Sequence, residues 1–190
     1  MRDRIKDIFL ESIRVKEQLL HNNIGEIIEI AEIVIDSLKK NGKLILFGNG
    51  GSASDSQHIA AELIGRFKKD RNALAAIALT TNTSILTSLA NDYGYDIIFA
   101  KQIEALGQKN DVVMAISTSG KAKNVIAGVK QAKKMGLKTI ALTGGDGGEI
   151  AKLADVTLLV PSNITARIQE AHITIGHIIC ELIEQTLCQS

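Results

Sequence analysis

A chain of 190 residues is long enough for one domain with a full hydrophobic core and too short for two of ordinary size. Its 22 Lys and Arg against 21 Asp and Glu leave a net charge of +1, so no broad basic field is available for nucleic acid or anionic lipid. Aromatics at 3% and the absence of Trp argue against a base-stacking surface, and any anionic ligand has to be held locally.

The opening segment, MRDRIKDIFLESIRVKEQ, carries charges throughout and has neither an apolar h-region nor a small-residue cleavage site, which is not the pattern of a signal peptide. No uncharged apolar run approaches the roughly 18 residues of a membrane span, so the expectation is a cytoplasmic protein with no membrane partner. Ile5, Ile8, Phe9, Ile13 and Leu19 follow three-and-four spacing, and a second helical pattern runs over about 25–40. These two helices form an N-terminal extension of about 1–41.

After Asn41-Gly42, KLILFG reads as a short buried strand, and ALAAIAL, DVVMAIS, LKTIALTG and DVTLLV repeat the theme, the last ending at Pro161. Helical segments separate the strands, which calls for right-handed crossovers and a parallel sheet covered on both faces. The fold class is therefore α/β, a three-layer sandwich with a five-stranded parallel sheet, in one domain spanning 1–190. A last helix over about 163–189 is apolar around most of its circumference. Together with the N-terminal pair it has more apolar surface than one sheet face can bury, so a homo-oligomer assembled through the terminal helices is expected. Cys180 and Cys188 lie about two turns apart in that helix, too far for a bridge, and read as buried thiols.

Two loops carry chemistry. The first, GNGGSASDSQHIAAELIG, runs from Gly48 to Gly65 as strand, glycine loop and helix, an arrangement in which backbone N–H groups and the helix dipole favour an anion. The second strand ends ALTTNT, without the acidic residue a dinucleotide site needs for the ribose, and the loop lacks the lysine of a P-loop. Ser52 and Ser54 are candidate caps, with Asp55 or Gln57 completing a capping box. The second loop, ISTSGKAKN, leaves a neighbouring strand end with Ser117, Thr118, Ser119 and Gly120, and a helix is expected from near Lys121. Ligands of open α/β sheets bind beyond the carboxyl ends of strands at a switch point, so a small phosphate held by the hydroxyls and N–H groups of both loops fits the pattern.

The strings GNGGSASDSQHIAAELIGRF, LANDYGYDIIFAKQIEALG, ISTSGKAKNV and TARIQEAHITIGH, in this order over nearly the whole chain, resemble the sedoheptulose 7-phosphate isomerases, or phosphoheptose isomerases, of the sugar isomerase (SIS) domain superfamily. The resemblance implies a SIS-type, flavodoxin-like sheet and a homotetramer with active sites at subunit interfaces. It also implies isomerisation of sedoheptulose 7-phosphate to D-glycero-D-manno-heptose 7-phosphate, the entry to bacterial heptose for lipopolysaccharide or capsule. It further implies one Zn2+ per subunit held by His58, Glu62, Gln169 and His177, with Glu62 and His177 as the catalytic pair. Sugar-phosphate contacts are implied at Asn49, Gly50, Gly51, Ser52, Glu62, Asn91, Asp92, Ser117, Thr118, Ser119 and Gln169. One departure stands out: similar enzymes usually carry serine where this chain has Ala122, so the resemblance implies one phosphate contact fewer, which leaves open either compensation by Lys121 or Lys123 or a different preferred substrate.

The chemistry accounts for these residue types. Aldose–ketose isomerisation moves a proton between C1 and C2 through an enediol and needs a base at carbon, proton transfer at oxygen and stabilisation of negative charge. His58 and Glu62 at i,i+4 project from one helix face, while Gln169 and His177, eight apart, are about 80° around a helix. His172 and His21 have no comparable partner and read as structural. Arg66 and Arg167 fit either an anion contact or an interface ion pair, and Asp92 in NDYG fits either a turn or a hydroxyl contact. Two other readings stay open on sequence: a non-enzymatic SIS-domain binding protein of the replication-initiator-binding type, and an isomerase acting on another phosphosugar.

Overall fold

The computed structural model describes residues 1–188. Two helices, α1 (Arg2–Asn22) and α2 (Ile24–Lys39), precede a sheet of five parallel strands, β1 (Leu44–Gly48), β2 (Ala76–Ala78), β3 (Val112–Ser117), β4 (Lys138–Gly144) and β5 (Val156–Val160). Between and after the strands run α3 (Gly51–Ile64), α4 (Thr83–Tyr93), α5 (Ile98–Leu106), α6 (Lys123–Lys134), the short α7 (Ile150–Leu153) and α8 (Thr165–Leu187). Residue 189, the expected end of the last helix, lies outside the described residues.

The strands are apolar on both sides because both faces are covered. Leu44 and Leu46 of β1 enter one core with residues of α2, α3 and α8, whereas Ile45 and Phe47 enter the other with residues of α5 and α6. The period-two alternation of β-structure thus divides one apolar run between two cores. ALAAIAL yields only a three-residue strand, Ala76–Ala78, at the sheet edge. Its alanines bring little side-chain area to hold a longer ladder.

The strand order is β2-β1-β3-β4-β5. From β1 the chain crosses through α3 to β2 on one side, and from β3 through α6 to β4 on the other. The sheet therefore has its switch point between β1 and β3, whose ends are paired in register, Gly48 opposite Ile116. The two hydroxyl-bearing loops leave these adjacent ends and diverge, which opens a crevice between them.

In α8, Ile168, Ile175, Ile179 and Ile183 are buried against the sheet while Ile178 stays exposed; in α1, Ile5, Ile8, Phe9, Leu10 and Ile13 are exposed. The surplus apolar surface expected at the chain's ends is present. Among the described residues no helix is long and apolar enough to cross a membrane.

Candidate active site

α3 and α8 run side by side in the same direction. A Cβ on Gly51 would collide with the side-chain amide of Gln169, and Gly176 is packed just as closely on Ile59. This near-contact brings His58 to His177: their Nε2 atoms are 2.9 Å apart, and His58 Nε2 lies 3.1 Å from Glu62 Oε1. One ligand atom from each of His58, Glu62 and His177 falls within 4.8 Å of the other two. Two imidazole nitrogens and a carboxylate are a fitting donor set for zinc, and three protein donors leave the open position a catalytic site requires. Gln169, the other ligand the resemblance implies, has its side-chain amide against Gly51. It sits at the Gly51 end of the helix pair, about 12 Å along α8 from His177 at 1.5 Å per residue.

The lower end of the groove is closed by residues the sequence did not single out. Phe67 lies against His177 with ring centroids 5.9 Å apart. The buried Glu184 of α8 accepts from Lys68 N and Lys69 N at 3.0 Å each and from Arg71 Nε at 3.2 Å. Arg71 in turn donates to the carbonyls of Leu63 at 2.7 Å and Glu62 at 2.9 Å. The last turn of α3, which carries Glu62, is thereby tied to α8.

At the upper end, Asn49 and Asn124 exchange amide hydrogen bonds of 2.8 and 2.9 Å, and Tyr95 Oη donates to Asn49 Oδ1 at 3.3 Å. Gly50 caps α3 without a side-chain bond. Ser54 Oγ donates back to Gly50 O instead of capping, and Ser52 is buried at the base of the loop. At the head of α3 the N–H groups of Ser52, Ala53 and Ser54 turn back onto Asn49 O and Gly50 O, so an anion there would draw on Gly51 N–H and the helix dipole. Asn91 and Asp92 are exposed in the last turn of α4, bonded to each other at 2.8 Å, and Gly94 at φ 91° ends that helix. NDYG is thus a helix terminus, carried toward Asn49 by Tyr95.

In the second loop, Ser117 Oγ accepts from Gly120 N at 3.2 Å, which turns it to its own backbone, while Ser119 is exposed and Thr118 half-buried. A cleft of about 300 Å³ lies over this loop and the end of β4, bounded by Thr118, Ser119, Lys121, Asp146 and Asn163. Lys121 Nζ is 2.9 Å from Asp146, and this ammonium holds the Asp146 carboxyl below its ordinary value. The helix starts at Lys123, close to the expected Lys121, with Ala122 as an extended N-cap that supplies no capping hydroxyl.

Of the two cysteines read as buried thiols only Cys180 is buried, and Cys188 lies just past the end of α8. His172 is fully buried, with Nε2 3.2 Å from Thr143 O; burial lowers its pKa to about 4, although the Thr143 bond opposes the shift. His21 is exposed near the end of α1. Cys180 is a buried thiol pushed up to about 12 by desolvation, and Cys188 is half-buried and also free. Arg167 is buried and bound to Ile8 O at 2.8 Å and to Glu170, a tie between α1 and α8 within the chain. Arg66 is exposed.

An open α/β sheet with hydroxyl-bearing loops at its switch point and a His–Glu–His cluster beside them defines a class, the α/β domains that bind a small ligand beyond the carboxyl ends of their strands. The sequence model described as the SIS domain matches residues 9–144. The chain is 53% identical over 189 residues to the phosphoheptose isomerase of Aquifex aeolicus, covering 100% of this chain and 99% of that one. It superposes on the phosphoheptose isomerase structure from Neisseria gonorrhoeae with a TM-score of 0.92 at 46% identity, covering 97% of this chain and 98% of the other. For the phosphoheptose isomerase structure from Francisella tularensis the TM-score is 0.93 at 38% identity, with 96% and 97% covered. The chain belongs to the SIS domain family and, within it, to the phosphoheptose isomerases.

Proposed function

We propose that the protein interconverts sedoheptulose 7-phosphate and D-glycero-D-manno-heptose 7-phosphate through an enediol, in the cytoplasm, for bacterial heptose synthesis. The observation that carries this reading is the convergence of His58, Glu62 and His177 within 4.8 Å beside a crevice edged by Asn49, Gly50, Gly51, Thr118 and Ser119. Full-length identity of about half to relatives named phosphoheptose isomerase supports the substrate.

Glu62 takes the proton from the sugar carbon and returns it to the neighbouring carbon. His177 moves the proton between the two oxygens, and Phe67 against its ring restricts water on that side. Such acid–base catalysis contributes roughly 10²- to 10⁴-fold. His58, Glu62 and His177 would hold one zinc ion, which when bound supplies Lewis-acid polarisation at the sugar oxygens. Gln169 and the exposed Asn91–Asp92 pair are assigned to sugar contacts. Thr118, Ser119 and the loop N–H groups hold the phosphate, and Lys121 supplies the cation at that rim where Ala122 offers no hydroxyl. The exposed apolar faces of α1 and α8 support a homotetramer with the site at a subunit interface.

The test is turnover of sedoheptulose 7-phosphate by metal-free protein before and after zinc is added, with the product identified by NMR. Zinc-dependent heptose 7-phosphate is the expected outcome. No product in either condition from an intact assembly would refute the assignment and turn attention to a binding role or another phosphosugar.

A further inference from the structure

Asp55 lies on the same face of α3 as His58 and Glu62, three and seven residues before them, so its Cβ is about 5–6 Å from that of His58. Its Oδ2 is buried and has no hydrogen-bond partner. The sequence offers an innocuous role for this carboxylate in a capping box, but Gly50 caps α3 with no side-chain bond. A buried carboxylate oxygen without a donor is costly, and burial pushes the Asp55 pKa up to about 6, with the charge of His58 pulling the other way.

A donor arises when the cluster is filled. His58 Nε2 faces His177 Nε2 at 2.9 Å. A divalent cation held by both Nε2 lone pairs forces the neutral imidazole proton of His58 onto Nδ1. A ligating histidine commonly gives that N–H to a carboxylate. We propose that Asp55 is the positioning residue of the metal centre, its Oδ2 accepting the Nδ1–H of His58 and so fixing the tautomer and ring orientation that present Nε2 to the cation. This rests on the metal-dependent reading given above.

The test is zinc affinity by chelator competition for the full-length protein and its Asp55→Ala, Asp55→Asn and His58→Ala variants, with 15N spectra of the imidazoles of the zinc-loaded protein. The expected result is zinc binding weakened about 10- to 100-fold in Asp55→Ala. The loss is smaller in Asp55→Asn, whose amide oxygen still accepts. The slowly exchanging Nδ1 proton of His58 disappears in Asp55→Ala, and the metal-free variants melt no lower than the parent. Should Asp55→Ala fail to fold, Asp55→Asn and the imidazole spectra decide. Unchanged zinc affinity and an unchanged Nδ1 proton in the variants would overturn this role alone. A parent protein that binds zinc no better than His58→Ala would overturn it together with the metal-dependent reading.

Discussion

Glu184→Gln isolates the tie beneath Glu62. Glu184 and Arg71 are nearly solvent-free, with side chains 3% and 4% exposed. Gln keeps the shape of the side chain but not its charge: its Oε1 still accepts from Lys68 N and Lys69 N, but its NH2 cannot accept from Arg71 Nε. The guanidinium then stays buried without a counter-charge. Breaking a buried pair in this way costs about 3–5 kcal/mol. With a urea slope of about 2 kcal/mol/M for a chain of this size, the unfolding midpoint falls by roughly 1.5–2.5 M at fixed protein concentration. Replacing both partners, Arg71→Met with Glu184→Leu, removes the uncompensated charge and recovers part of the loss. It still leaves the carbonyl of Glu62 and the N–H groups of Lys68 and Lys69 without these partners, at about 1–3 kcal/mol each where they remain dry, while Leu63 O keeps its bond from Leu74 N. A loss in Glu184→Gln below about 0.5 kcal/mol, the range of ordinary surface substitutions, would refute the view that this pair secures the catalytic turn of α3.

Glu62→Gln is expected to lower kcat about 10²- to 10⁴-fold in steady-state assays; retained turnover would remove Glu62 from the base role, the most demanding part of the mechanism because a nearby cation weakens a carboxylate as a base. Gln169→Ala is expected to raise KM while leaving zinc affinity within about twofold, as chelator competition would show, because its amide lies at the Gly51 end of the groove. Gly120→Ala places a Cβ into the carbonyl of Gly147 at a φ of 64°, so a stability loss of roughly 1–3 kcal/mol and weaker binding of inorganic phosphate are expected from melting and titration. His172 binds its proton near pH 4 when folded and at 6.5 otherwise, so the unfolded chain holds the extra proton between these values and stability falls as pH drops through that window. The contribution is on the order of 3 kcal/mol, and urea titrations of His172→Gln should show a flatter acid limb.

The sheet was legible because its strands are continuous apolar runs, and β3, Val112–Ser117, is the plainest case. β2 was over-read because ALAAIAL has the composition of a strand but not the bulk to hold an edge ladder. Helix starts were harder. Ser52 and Ser54 have the residue types of caps, yet the tight glycine turn places Gly50 at the cap position and sends Ser52 inward. At α6, Asn124 holds the place by pairing with Asn49, 75 positions earlier, and no local pattern announces such a pair. Glu184 and Arg71 were invisible for the same reason: each reads as a solvated charge until the fold buries one against the other. Asp55 could have been found, since an acid three residues before a candidate metal-binding histidine is on the same helical face.

The position of Gln169 bears on what kind of site this is. His58 and His177 meet two turns below the contact of Gly51 with Gln169, because α3 and α8 run in parallel and keep register along their length. The distance between the anion-accepting end of the groove and the His–Glu–His cluster is therefore set by helix rise, roughly 10 Å from Gly51 to His58. An amide delivered to the cluster would close a four-donor shell of the structural kind. Held beside Gly51, the Gln169 amide adds a polar group at the loop end of the groove, and on the proposed reading the cation would meet His58, Glu62 and His177 with a position left for a sugar oxygen. On the proposed reading, one helix pair sets how far the cation stands from the loop that holds the phosphate.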